Sequence, residues 1–155
     1  KGQIAIFNRS HYEDIIAVRV KKIFPDPVWK RRYKHVLDFE SMLAEEGTVI
    51  IKLFLNISKE EQKKRLESRL QDPDKLWKFC MDDLDDRNRW DEFQTAYQDL
   101  IEKTSTPEAP WYIIPADRKW YRNLVVARLM VEKLRHLQLS LPTPNFDPAS
   151  IIIPD

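Results

Sequence analysis

Three short runs rich in β-branched and aromatic side chains, Gln3 to Phe7, Val49 to Leu55 and Trp111 to Ile114, alternate with longer stretches of helical periodicity. That alternation predicts an α/β fold on a parallel sheet with flanking helices. The length of 155 residues suits one domain with a sizeable core. We expect that domain over residues 1 to 140 and an extended tail over 141 to 155.

The first run, Ile4 to Phe7, ends abruptly in Asn8-Arg9-Ser10, as a buried parallel strand does where it leaves the sheet. Ligands of open α/β sheets bind beyond the carboxyl ends of such strands, which makes Asn8 to Asp14 the edge of an active site. The alternative is a strand-to-helix turn with Asn8 or Ser10 as an N-cap. Asp26 before Pro27 predicts a helix start, and Gly47 predicts its end after Glu46. Tyr33, Val36, Leu37, Phe39 and Leu43 form its apolar face. The second strand run carries a lysine, Lys52, inside its apolar stretch.

Ser58-Lys59-Glu60-Glu61 reads as a capping box opening a helix to about Leu70, ended by Pro73. A charged connector, Gln71 to Met81, leads to a helix opened by Asp82 or Asp83 and reaching Glu102. After the third strand, Asp117 is placed to cap a last helix running to Leu139. Four prolines between Leu141 and Asp155 predict an extended tail. Its Ile151-Ile152-Ile153 triplet is costly in water and is expected to dock on this subunit or a neighbour.

The charges nearly cancel, 26 basic against 25 acidic for a net +1, so global charge points to no nucleic-acid or membrane partner. The longest apolar stretch, Val49 to Leu55, is interrupted and too short to span a bilayer. One cysteine, Cys80, precludes an internal disulfide and fits a cytoplasmic protein. His11, His35 and His136 lack metal-ligand spacing, and no metal-ligand set is expected within the chain. Ser10, His11 and Asp14 are the residue types of a hydrolase triad, but near-adjacent residues rarely aim at one atom. Of the five tryptophans, Trp29, Trp90, Trp111 and Trp120 read as packing residues, whereas Trp77 lies in the charged connector.

Phe7-Asn8-Arg9-Ser10-His11-Tyr12-Glu13-Asp14 resembles the second signature of the polyphosphate kinase 2 family, where Phe-Asp-Arg-Ser follows a strand at the Walker B position. Similar stretches follow in family order: Lys75 to Phe79, Arg89 to Phe93, Thr104-Ser105-Thr106, and Pro115 to Trp120. The resemblance implies a three-layer P-loop kinase fold of the thymidylate kinase type with a helical lid over about 59 to 90. It also implies a glycine-rich Walker A loop. With only Gly2 and Gly47, the chain holds no such loop, so we expect it to be the carboxyl-terminal part of a larger kinase domain.

The implied reaction moves a phosphoryl group between inorganic polyphosphate and AMP or ADP, with ATP among the nucleotides, using Mg²⁺ in a homo-oligomer. Asn8 with His11 to Asp14 looks most like the subgroup acting on both AMP and ADP. Phosphoryl transfer needs cations that neutralise charge spreading over the moving group, so Arg9 and Arg69 are the expected catalytic residues, with Asn8 beside them. The resemblance puts polyphosphate contacts on Arg69, Lys75 and Lys78, and extends them to Arg65, Arg87 and Arg89. Arg65 and Arg69 are one helical turn apart, although pairing with nearby acidic side chains is the competing fate of all these arginines. Glu13 is expected to bear on acceptor choice, and Arg19 to bind a phosphate or serve as a surface arginine. Asn8 offers Mg²⁺ an amide where other branches offer a carboxylate, so an indirect role through bound water is expected. Two other readings stand: an ATP-dependent nucleoside monophosphate kinase of the thymidylate kinase type, and a non-catalytic module of the same fold.

Overall fold

The computed structural model describes residues 2–154. Its sheet has two strands among the described residues, β1 (Lys52–Asn56) and β2 (Trp111–Pro115), parallel and in the register Lys52 opposite Trp111 through Asn56 opposite Pro115. The Ala116 amide continues the ladder by donating to the Asn56 carbonyl at 2.7 Å. Parallel neighbours require a long crossover. Three helices supply it: α3 (Lys59–Gln71), α4 (Asp82–Asn88) and α5 (Trp90–Thr104).

The core lies among three helices. α1 (Glu13–Val20) buries Ile15, Ile16, Val18 and Val20, leaving Asp14 as its one exposed residue. α2 (Asp26–Glu45) covers one side with Trp29, Tyr33, Val36 and Glu40, a stripe at the spacing of one helix face. α5 covers the other with Ala96, Leu100 and Thr104 at successive turns. Gly47, at φ +81°, ends α2 with the two reverse bonds of a Schellman motif, Gly47 N–H to Ala44 and Thr48 N–H to Leu43, each 2.9 Å. α6 (Lys119–His136) lies along β2 and contributes no fully buried residue.

Several expectations need correction. Gln3 to Phe7 is not a strand: Ile4, Ile6 and Phe7 are 69%, 84% and 78% exposed. A parallel strand exists through hydrogen bonds to its neighbours, and β1 and β2 pair only with each other among the described residues. The helix expected from Asp82 to Glu102 breaks at Arg89, whose φ and ψ are −98° and 24°. The Arg89 guanidinium donates to the Val20 carbonyl at 2.8 Å and ties the break to the end of α1. The segment after Phe7 leads into a helix, as in the strand-to-helix alternative, but α1 starts at Glu13 behind Tyr12, and neither Asn8 nor Ser10 is its N-cap.

Cap roles shift as well. Asp26 is the first residue of α2, behind Pro25, and its carboxylate takes the Trp29 indole N–H and the Lys30 ammonium. Ser58 caps α3 by accepting from Glu61 N–H at 3.1 Å. The reciprocal half of that box comes from elsewhere, because Glu61 is held by Arg65 and the Ser58 N–H goes to Asp117 at 2.8 Å. Asp117 therefore joins β2 to α3 and leaves α6 without a side-chain cap. The tail is extended apart from one turn at Pro148–Ser150, and Ile152 and Ile153 stand in solvent, so the triplet does not dock on its own chain.

Candidate active site

Arg9 has φ +69°, in the left-handed region. A non-glycine residue there costs about 1–3 kcal/mol and persists only where its surroundings fix it. The loop closes immediately afterwards. Glu13 N–H donates to the Ser10 carbonyl at 3.0 Å, Asp14 N–H to His11 at 3.2 Å, and Tyr12 N–H to Ser10 Oγ at 3.4 Å. Asn8 and Arg9 remain exposed, and among the described residues Arg9 has no carboxylate at ion-pairing distance.

A cleft of about 240 Å³ opens past the carboxyl end of β1, lined by Phe54, Asn56, Gln62, Asp86, Trp90 and Tyr97 among others. Burial raises the Tyr97 phenol above its ordinary value, with the Glu13 carboxylate adding to the rise and the Arg9 guanidinium opposing it. Arg9 and Glu13 thus lie within electrostatic reach of this cleft, the position where α/β sheets take ligands. A wider hollow of about 640 Å³ runs along α6 alone and touches none of the expected residues.

The remaining cations fall into two sets. Arg65 is anchored by Glu61 at 2.8 Å, the Ala116 carbonyl at 2.8 Å and the Asp117 carbonyl at 3.2 Å, fastening α3 to the end of β2. Arg87 donates to the Lys59 carbonyl at 2.7 Å and Gln62 at 3.0 Å, and Arg89 is spent on Val20. Arg19 pairs with Asp99 at 2.6 Å and lies 5.2 Å from the Trp29 ring centroid. These four hold elements together.

Arg69, Lys75 and Lys78 are looser. Arg69 meets Asp83 once, at 3.3 Å, with both side chains 37% exposed. Such a pair is worth at most about 1 kcal/mol and yields readily to a phosphate. Lys75 pairs with Asp72 in solvent and holds that carboxyl below its ordinary value. Lys78 Nζ lies 5.0 Å from the centroid of the Trp77 ring, which is itself 78% exposed. The three line one arm, from the end of α3 through the turn Leu76–Lys78. No contact joins them to Arg9 among the described residues.

Beneath the Arg9 loop lies a cluster absent from the expected residues. Lys52 Nζ donates to Glu40 at 2.7 Å, to the Thr104 carbonyl at 2.6 Å and to the Tyr12 hydroxyl at 3.1 Å, and that hydroxyl donates to Glu40 at 2.7 Å. Burial pulls the Lys52 ammonium below its ordinary value against the pull of Glu40, and burial also raises the Tyr12 phenol. The sequence signals were Lys52, a charge inside an apolar strand, and the place of Tyr12 and Thr104 in family-like stretches. As for Mg²⁺, no three His, Cys, Asp or Glu side chains converge among the described residues, and Asn8 has only a neutral amide to offer. This donor set does not by itself fit the ion.

A parallel two-stranded sheet flanked by helices, with a basic loop ahead of α1 and a basic helical arm, is the α/β arrangement expected from the sequence, and it matches solved polyphosphate kinase 2 structures. Residues 1–141 match polyphosphate kinase 2, and the chain belongs to the polyphosphate kinase 2 family. It is 53% identical over 153 residues to the AMP/ADP-polyphosphate phosphotransferase of Meiothermus ruber, covering 99% of this chain and 57% of that protein. It is 37% identical to the ADP-polyphosphate phosphotransferase of Rhodopseudomonas palustris, covering 92% of this chain and 53% of that protein. The crystal structure of polyphosphate kinase 2 from Arthrobacter aurescens superposes with a TM-score of 0.88 at 48% identity, over 93% of this chain and 51% of that one. The chain spans about half the length of these relatives.

Proposed function

We propose that the protein is a polyphosphate-dependent nucleotide kinase, moving a phosphoryl group between inorganic polyphosphate and AMP or ADP. The observation that carries this reading is the division of its cations. In a member of this family, Arg9 stands exposed and without an ion-pair partner among the described residues, within electrostatic reach of the cleft at Tyr97, while Arg69, Lys75 and Lys78 stand loosely held along one arm. Free cations suit an anionic chain that must slide and leave. The anchored ones, Arg19, Arg65, Arg87 and Arg89, contribute by holding that arm and the cleft in place.

In the forward step a terminal phosphate oxygen of AMP or ADP attacks the last phosphorus of polyphosphate. The bridging P–O bond breaks, and the shortened chain leaves with the electron pair. Charge spreads over the transferred oxygens, and Arg9 and Arg69 neutralise it. Glu13 bears on acceptor choice and Asn8 acts indirectly, by hydrogen bonding through metal-bound water; the relative in Meiothermus ruber is named for both AMP and ADP. Mg²⁺ belongs to this reading as the counter-ion of the substrate phosphates. No helix among the described residues is long and apolar enough to cross a membrane, and we place the reaction in the cytoplasm with its nucleotides. Exposed apolar side chains on α6 support a homo-oligomer.

The test is donor choice. The full-length protein, given Mg²⁺, polyphosphate and AMP or ADP, is expected to form ADP or ATP. Transfer from ATP to AMP with none from polyphosphate overturns the reading.

A further inference from the structure

Lys52 and Glu40 are only 5% and 4% exposed, and their pairing is complete: three acceptors surround the ammonium, and the carboxylate receives both Lys52 and Tyr12. Around them Trp111 Nε1 donates to Thr104 Oγ1 at 2.9 Å, and that hydroxyl donates to the Leu100 carbonyl at 2.7 Å. An apolar set of the same volume commonly folds as stably as a buried ion pair, or more so, and stability does not explain this cluster. What a fully bonded cluster adds is direction, because only one arrangement satisfies it.

The side chain so directed is Tyr12. Its ring packs against Trp111 at 5.0 Å and His11 at 4.7 Å between centroids, and Glu40 and Lys52 both hold its hydroxyl. Tyr12 immediately precedes α1 and stands three residues after Arg9, whose positive φ needs outside support. Ser10, the residue after Arg9, accepts from Tyr12 N–H at 3.4 Å and from Glu13 N–H at 3.0 Å, so a shift of Tyr12 is passed to the backbone next to Arg9.

We propose that Tyr12, Glu40 and Lys52 are positioning residues that hold the Arg9 loop in the shape needed for phosphoryl transfer, an inference that rests on the kinase reading above. All three are buried, 5% exposed or less. They act through the loop backbone, where a misplacement near 1 Å costs up to about a hundredfold in rate.

The experiment uses the full-length protein with Tyr12→Phe, the double variant Lys52→Met/Glu40→Leu, and Leu100→Ala as the control that thins the same core without touching the cluster's side chains. Turnover, KM, thermal midpoint and amide exchange of residues 8–16 are measured for each. We expect Tyr12→Phe and the double variant to unfold cooperatively, to lose about tenfold or more in kcat with KM changed far less, and to exchange faster at 8–13 than along α2. Leu100→Ala is expected to lower the thermal midpoint while its turnover at 25 °C stays near the parent value. Unchanged turnover in folded Tyr12→Phe, unchanged exchange at 8–13, or an equal kcat loss in Leu100→Ala each overturns the inference. If the double variant does not fold, Tyr12→Phe decides alone. A parent without polyphosphate-driven turnover overturns the kinase reading instead, and the exchange of 8–13 in Tyr12→Phe then decides whether the cluster holds the loop.

Discussion

Arg65 and Arg69 differ by one helical turn, yet their surroundings assign them opposite work. Arg65 is consumed by two carbonyls and Glu61, and hydrogen bonds to a charged group contribute about 1.5–3 kcal/mol each. Arg65→Ala in the full-length protein should therefore lower the thermal midpoint. Arg69 makes one long contact with Asp83. Arg69→Ala should leave the midpoint in place and lower kcat/KM for polyphosphate by about two to four kcal/mol of transition-state stabilisation. Arg9→Ala should do the same, and turnover within threefold of the parent for either variant would remove that residue from the site.

Glu13 opens α1 beside Arg9, within reach of the cleft at Tyr97. Glu13→Asn should reduce turnover with AMP more than with ADP, because acceptor choice is a difference between two bound states. Equal losses would make Glu13 structural. Acid stability tests a third pair. Arg19, with Lys103 behind it, holds the Asp99 carboxyl below its ordinary value. A depressed carboxyl stabilises the fold above its unfolded value of about 4, and that contribution fades as pH falls through the folded value. Asp99→Asn should thus lower stability at pH 7 and flatten its decline below about pH 4. Parallel denaturation curves for parent and variant across that range would contradict it.

At the scale of elements, the sequence carried whatever depended on local periodicity. α2, α3, β1 and β2 follow from apolar spacing, the Ser58 cap and Gly47. Elements whose definition lies elsewhere in space were not legible. α1 is buried on both sides, so Ile15, Ile16, Val18 and Val20 show no amphipathic rhythm. The break at Arg89 has no glycine or proline to announce it and depends on a carbonyl 69 residues away in sequence. Of the candidate site, Arg9 was named from its place after an apolar run that is not a strand, and the sorting of arginines into anchors and loosely held cations was not legible, since partners such as Ala116 and Val20 are backbone atoms. Glu40 looked like an ordinary helix residue, and Thr104 stood out only as part of a family-like stretch, until the fold brought Lys52 between them. The α1–α5 contact should be the most sensitive part of the core: Leu100→Ala is expected to cost about 2–5 kcal/mol, readable as a shift of the denaturation midpoint without change of slope.

At the scale of the whole molecule, the apolar surface is unevenly distributed. Ile4, Ile6 and Phe7 stand exposed in one extended segment, and α6 presents Trp120, Tyr121, Leu124 and Val131. Contiguous apolar exposure of this kind drives association. An unpaired extended segment adds open backbone donors and acceptors. The 155 residues expressed alone should therefore run as oligomers or aggregates by light scattering rather than as a stable monomer. They should also lack turnover, because two glycines cannot build a loop that turns successive N–H groups toward phosphates, and Arg65, Arg87 and Arg89 are already engaged. Phosphoryl transfer draws nearly all its acceleration from positioned charge, and three loose cations on an arm cannot fix donor and acceptor in line. The assay is polyphosphate with AMP or ADP in Mg²⁺ on the purified chain, its oligomeric state measured in the same sample. Robust turnover would require a phosphate site built without glycines, and the first place to seek it is the cleft lined by Asn56, Gln62 and Asp86.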